Sequence, residues 1–208
     1  MAVDTNWKTF LSPDSSLPPD VFFLVKGDGE EDKRIAAHRF LLAGTSPVFN
    51  RQFFGQMKET QEMIEVKDTS PQAFDTMVNY IYKLPGVETF NLDNVGCPQK
   101  LFELLELAER YEIPNLKAMT SSALEALDIS RENMIFAATV AKNYKQTFGD
   151  LSNKVLFMCL ELLFESTKGA GDILALIMET KNNFPEANLD IFHELIAVGN
   201  EILKVPGI

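Results

Sequence analysis

The sequence predicts an α+β fold: a small β-sheet flanked by helices, followed by an all-α extension. Two observations carry that expectation. The runs of strand length or strand alternation, Val21–Val25, Arg34–His38 and Met63–Val66, all fall early in the chain and are interleaved with segments of helical spacing. Beyond Pro98 every apolar repeat has the helical period instead. The expected organisation is an extended N-terminal arm over 1–19, a mixed domain over 20–127 and a helical extension over 128–208.

Each element has a local reason. The arm holds Pro13, Pro18 and Pro19 among small polar residues, which disfavours regular structure. VFFLV, Val21–Val25, is an apolar run of strand length, and KGDGEEDK then supplies the charged loop of a hairpin before RIAAH resumes. From His38 the pattern turns helical through Phe40, Leu41 and Leu42 to Gly44. Ser46-Pro47 then starts a second helix carrying Val48, Phe49, Phe53 and Phe54, with Ser46 as its cap and Pro47 at the first helical position, where its missing N–H does no harm. MIEV alternates as a strand, and Ser70-Pro71 caps a third helix with Phe74, Met77, Val78, Ile81 and Tyr82 on one face. Lys83–Pro98 is a long connection. One helix follows through Leu101, Leu104, Leu105 and Ala108, and another through Leu116 and Leu124. Ser130 is expected to cap a helix running through Ala137, Val140 and Ala141, and later helices are expected over 151–164, 173–181 and 189–203.

Composition limits the function. A chain of 208 residues with 46% apolar and 24% charged residues can bury roughly 70% of its unfolded surface and so needs no staples. Its net charge of -11 repels phosphate backbones and anionic lipid, so neither nucleic acid nor a membrane is expected as a direct partner. The opening residues lack the basic and apolar blocks of a secretory signal, no apolar run approaches the ~20 residues that cross a bilayer, and Cys97 and Cys159 are the two cysteines. A cytosolic or nuclear protein without a disulfide is the expectation.

No reactive constellation is legible. His38 and His193 are the two histidines, each favoured as a packed or boundary residue over a catalytic one. The cysteines lack the paired spacing of a zinc site, the acidic hairpin lacks the ligand order of a calcium loop, and no phosphate-cradling glycine motif or nucleophile elbow occurs. No catalytic residue, metal or cofactor is therefore expected, and the chain reads as a binding protein rather than an enzyme.

The segment DVFFLV, its hairpin, AAHRFLLAGTSPVFNRQFFGQMKE and IEVKDTSPQAFDTMVNYIY together resemble the BTB/POZ domain. Ala37, His38, Arg39, Leu42, Ala43, Ser46, Phe49 and Phe53 match the family's paired-helix pattern at its spacing, and the resemblance spans Asp20 to Leu127. The helices after Ser130 resemble the BACK-type extension that follows such domains in substrate adaptors of cullin-3 ubiquitin ligases. The resemblance implies a hydrophobic-x-Glu motif just after the second paired helix, which here is Met57-Lys58-Glu59. It implies that Met57 enters an apolar groove on cullin-3, that Glu59 sets orientation and that Tyr82 adds contact area. It also implies a homodimer, to which Trp7, Phe10 and Leu11 could contribute. Met57 could instead tuck beneath its own loop, since methionine fills irregular gaps. Tyr82 is expected to pack its ring in the core and offer its hydroxyl end outward. The family's usual Tyr-Thr-Gly after this helix reads Tyr82-Lys83-Leu84.

Two functions are thus open: a cullin-3 adaptor that delivers an unidentified substrate protein, and a homotypic scaffold or transcriptional co-regulator that uses the same fold without cullin binding.

Overall fold

The computed structural model describes residues 18–26, 32–56, 60–82, 97–130 and 133–166. Within them lie β1 (Val21–Val25), β2 (Lys33–Ala37), α1 (Arg39–Thr45), α2 (Pro47–Phe54), β3 (Met63–Val66), α3 (Pro71–Tyr82), α4 (Pro98–Arg110), α5 (Pro114–Glu125), α6 (Met134–Tyr144) and α7 (Gly149–Ser166). The described residues form two compact units, one of 18–82 with 100–120 and one of 97–99 with 121–166. The mixed sheet-and-helix architecture is the α+β fold expected from the sequence.

The sheet of the first unit has the order β2-β1-β3. β1 pairs antiparallel with β2, Val21 opposite Ala37 and Val25 opposite Lys33, as a hairpin requires. It pairs parallel with β3, Phe22 opposite Met63. Parallel pairing needs a crossover, and α1 and α2 supply it. Along β1 burial alternates, so that Val21, Phe23 and Val25 face inward with Ile35, Ala37 and Val66. On the other face Phe22 lies half-buried, with the Arg34 guanidinium 3.9 Å above its ring.

The inner face is covered by Leu42 from α1, Phe49 and Phe53 from α2, Phe74, Met77 and Ile81 from α3, and Leu104 and Leu107 from α4. Its centre is a closed set of rings. Phe23 lies 5.9 Å from Phe49 and 5.0 Å from Phe74, while Tyr111 stacks on Phe49 at 4.3 Å and meets Phe74 edge-on at 6.1 Å.

The two caps expected from Ser-Pro pairs form. Ser46 Oγ accepts from the Phe49 N–H at 3.2 Å and donates to the Tyr111 carbonyl at 2.5 Å. Ser70 Oγ accepts from the Ala73 N–H at 3.2 Å and donates to the Glu103 carboxylate. Each serine thus starts a helix and ties it to a distant segment.

Other details differ from expectation. Phe40 and Phe54, read as part of the helical apolar pattern, stand 79% and 58% exposed, because the short helices α1 and α2 turn Leu42, Phe49 and Phe53 inward instead. Ser130 does not begin α6, which starts at Met134. The Ser130 N–H donates to Asn133 Oδ1 at 2.8 Å, and the Ser130 carbonyl accepts from the Met134 N–H. α7 extends a few residues beyond the expected 151–164 at both ends. The helices expected over 173–181 and 189–203 lie outside the described residues.

In the second unit α6 buries Met134, Ile135, Ala137, Ala138, Val140 and Ala141, and α7 packs against it with Val155, Leu156 and Cys159 buried. Burial pushes the Cys159 thiol up to about 12, so it is inert as a nucleophile at neutral pH.

Phe49→Ala should lower the stability of the first unit by about 3–5 kcal/mol, because it opens the centre of the aromatic set. Urea unfolding measures this, and an unchanged midpoint would contradict the packing described.

Candidate functional site

α1 begins without a cap of its own. His38, its N-cap residue, makes no capping bond with its side chain, and the orphan N–H groups are satisfied from far along the chain. The Arg39 N–H donates to Asp20 Oδ1, just before β1, at 2.8 Å. The His38 N–H donates to the Tyr82 hydroxyl, at the end of α3, at 2.7 Å.

The same hydroxyl lies 2.7 Å from His38 Nδ1. Burial, only partly offset by the bond from His38, pushes the Tyr82 hydroxyl up to about 12, with Asp20 pushing the same way. The hydroxyl therefore keeps its proton at neutral pH, and it bridges the backbone N–H and the ring of His38. The Tyr82 ring packs against the core, as expected, while its hydroxyl is held within the chain by His38.

Arg39 extends the cluster. Its Nη2 donates to the Gln61 carbonyl at 2.5 Å and its guanidinium lies 5.3 Å from the centre of the Phe53 ring. At this corner the entry of β1, the start of α1, the end of α2, the approach to β3 and the end of α3 therefore meet. Gly55 closes α2 here, its N–H bonded to the Arg51 carbonyl. A Cβ at position 55 would lie 2.2 Å from that oxygen, so the backbone approach admits only glycine.

Met57 and Glu59 lie outside the described residues, as do Trp7, Phe10, Leu11 and His193. The described residues flanking the motif include Phe54, 58% exposed, and Met63, 41% exposed. Tyr82 was singled out from the sequence, whereas Asp20, Arg39, Gly55 and Gln61 were not given a role in this corner. Arg39 carried a signal only as a matched position of the helix-pair pattern.

The corner is built for holding a shape rather than for reaction. His38 is nearly buried and bonded to a protonated phenol, and Arg39 is bonded to a carbonyl. Among the described residues no group of three His, Cys, Asp or Glu side chains is placed to hold a metal ion, and no helix is long and apolar enough to cross a membrane.

The BTB/POZ domain model matches residues 13–127. The chain belongs to the BTB/POZ family. Among its relatives, BTB/POZ and MATH domain-containing protein 4 of Arabidopsis thaliana is 32% identical over 133 residues, covering 60% of this chain and 27% of the relative. BTB/POZ domain-containing protein 9 of Homo sapiens is also 32% identical, over 127 residues that cover 60% of this chain and 19% of the relative. The matches thus span less than a third of either protein. A solved chain, the BTB domain of zebrafish PATZ1, aligns with 20% identity and a TM-score of 0.37 over 52% of this chain and 76% of that one. The BTB domain is a protein-interaction fold, and the chain is a protein-interaction module of that class.

Tyr82→Phe leaves the His38 N–H without its acceptor and should lower stability at pH 7 by about 1–3 kcal/mol. Tyr82, Tyr80, Tyr111 and Cys159 all hold their protons more tightly folded than unfolded, because burial disfavours their charged forms. For Tyr82 the resulting contribution to stability is complete below about pH 10, the ordinary tyrosine value, and is lost as pH rises through about 12. Tyr82→Phe should lose less stability than wild type between pH 10 and 12, which denaturant midpoints across that range will show.

Proposed function

We propose that the chain is a substrate adaptor that binds cullin-3 through its BTB domain, self-associates through the same domain, and brings a separate substrate protein to a ubiquitin ligase in the cytosol or nucleus. The observation that carries this reading is the position of Met57-Lys58-Glu59. In sequence the motif directly follows the α1–α2 pair and lies between Phe54 and Met63, both exposed.

In this reading Met57 is the apolar anchor, Glu59 orients the partner at the rim, and Tyr82 adds contact area from the end of α3. Residues 1–19 form an arm whose Trp7, Phe10 and Leu11 join the dimer interface, 20–127 form the BTB domain, and 128–208 form a BACK-like extension of the cullin contact. The competing reading is a homotypic scaffold or transcriptional co-regulator without cullin binding.

Met57→Asp places a charge in a desolvated contact and should weaken cullin-3 binding at least ~10-fold, a loss of about 1.4 kcal/mol or more. Glu59→Lys should slow association, most strongly at low salt. Both variants should melt within a few degrees of the parent. Lost stability in Met57→Asp would return that residue to its own domain, and a wild-type chain that does not bind cullin-3 would favour the scaffold. Light scattering should report about twice the 23.4 kDa chain mass at all working concentrations, and a monomer mass would remove self-association from the reading.

A further inference from the structure

We propose that the outer edge of β2 is a docking site for an extended peptide segment of a partner protein, held by backbone pairing at Arg34 and Ala36 and by a carboxylate seated on the Arg34 guanidinium. The inference is independent of the adaptor reading and uses none of its residues. On this side the sheet ends at β2. The Phe22 N–H donates to the Glu62 carbonyl, so Phe22 turns its amide groups toward β3. The Phe22–Ala36 pair is therefore one without ladder bonds, and Leu24–Arg34, two residues on, has the same phase. Arg34 and Ala36 direct their N–H and C=O groups away from β1, and among the described residues no backbone bond reaches those groups. Both residues are exposed.

The open stretch has a defined end, because the next outward N–H, that of His38, is already bonded to the Tyr82 hydroxyl. A charge on an edge strand commonly wards off association. Here it also selects. Lys26 and Lys33 are matched by Glu65 at 3.3 Å and Asp75 at 3.1 Å, whereas Arg34 has no carboxylate among the described residues. Its guanidinium is instead held 3.9 Å over the Phe22 ring, on the outer face of the sheet. A guanidinium over an aromatic ring keeps its N–H groups directed outward in its own plane, where they can take a carboxylate in a fork.

The register fixes what the partner must present. A strand added antiparallel to β2 with an acidic residue opposite Arg34 places the residue two positions earlier opposite Ala36, on the same face. Ala36 is small, and its neighbour across the strands, Phe22, is half-buried, so a large apolar side chain opposite Ala36 covers the open flank of that ring. The edge thus fits an extended segment that reads apolar-x-acidic from its N-terminus. Backbone pairing supplies the contact, and Arg34 with Ala36 supplies the choice.

The test uses the full chain and a fluorescein-labelled peptide, Thr-Val-Thr-Phe-Thr-Glu-Thr-Val, followed by anisotropy. Saturable binding is expected. Replacing the peptide's glutamate by glutamine, or Arg34→Gln in the chain, should each weaken it at least ~5-fold. N-methylation of the phenylalanine and glutamate amides should abolish binding, because those two face β2. Ala36→Pro should weaken binding at least ~10-fold and leave the urea midpoint unchanged, since the β1–β2 ladder does not use that N–H. Should Ala36→Pro fail to fold, Arg34→Gln and the N-methylated peptide decide the matter. Amide exchange at Arg34 and Ala36 should be fast in the free chain and slow at least ~5-fold with saturating peptide, while Ile35 keeps its rate. No saturable binding, binding that survives N-methylation or a folded Ala36→Pro, or Arg34 and Ala36 amides already protected in the free chain would each overturn the proposal. Protection that rises with protein concentration in the absence of peptide would assign the edge to a second copy of the chain and overturn it as well.

Discussion

The ring set of Phe23, Phe49, Phe74 and Tyr111 is the contact on which the first unit depends. Each ring comes from a different part of the chain: the central strand, the second helix, the third helix and the turn after the fourth. Their mutual contacts fix where the helices lie on the sheet, and the serine bonds reinforce the same assignment. Ser46 reaches the backbone of Tyr111, and Ser70 reaches Glu103 on the helix that precedes it. Side-chain packing and buried hydrogen bonds therefore specify one arrangement together, whereas the surface ion pairs Lys26–Glu65, Lys33–Asp75 and Arg51–Glu112 are exposed and add little.

At the sheet's other margin, hydrogen bonds take over from packing. α1 is only seven residues long and has neither an acidic residue in its first turn nor a side-chain cap on its own N-cap residue. Such a helix is marginal in isolation. It is held because Asp20, just before β1, and Tyr82, at the end of α3, satisfy N–H groups at its start. The residues that stabilise the helix are thereby the residues that form this corner, so its local geometry and its stability are coupled.

Much of this was legible in sequence where the physics is local. Ser46-Pro47 and Ser70-Pro71 announce helix starts because a cap and a proline act within one turn, and the apolar stripe Phe74, Met77, Val78, Ile81 needs only the helical period. Phe40 and Phe54 were misread because a helix of seven or eight residues leaves its buried face to tertiary packing, not to periodicity. Asp20, Gln61 and Arg39 could not be joined from the sequence, since their bonds cross some 20 residues and no short-range pattern encodes them. The role proposed for Met57 and Glu59 rests on the family pattern alone. Nothing in the polar run around them distinguishes an anchor from a residue folded back on its own domain.

The parallel pairing of β1 with β3 has a kinetic consequence. The hairpin partner β2 is close in sequence and can meet β1 early, but β3 is separated from β1 by about 40 residues, a span that must close before any of that pairing is rewarded. The helix pair lies wholly within this loop, so its collapse onto Phe23 shortens the search for β3. Of the contacts within the ring set, Phe23–Phe49 alone falls within this span, whereas those that Phe74 and Tyr111 make with Phe23 and Phe49 close loops longer still.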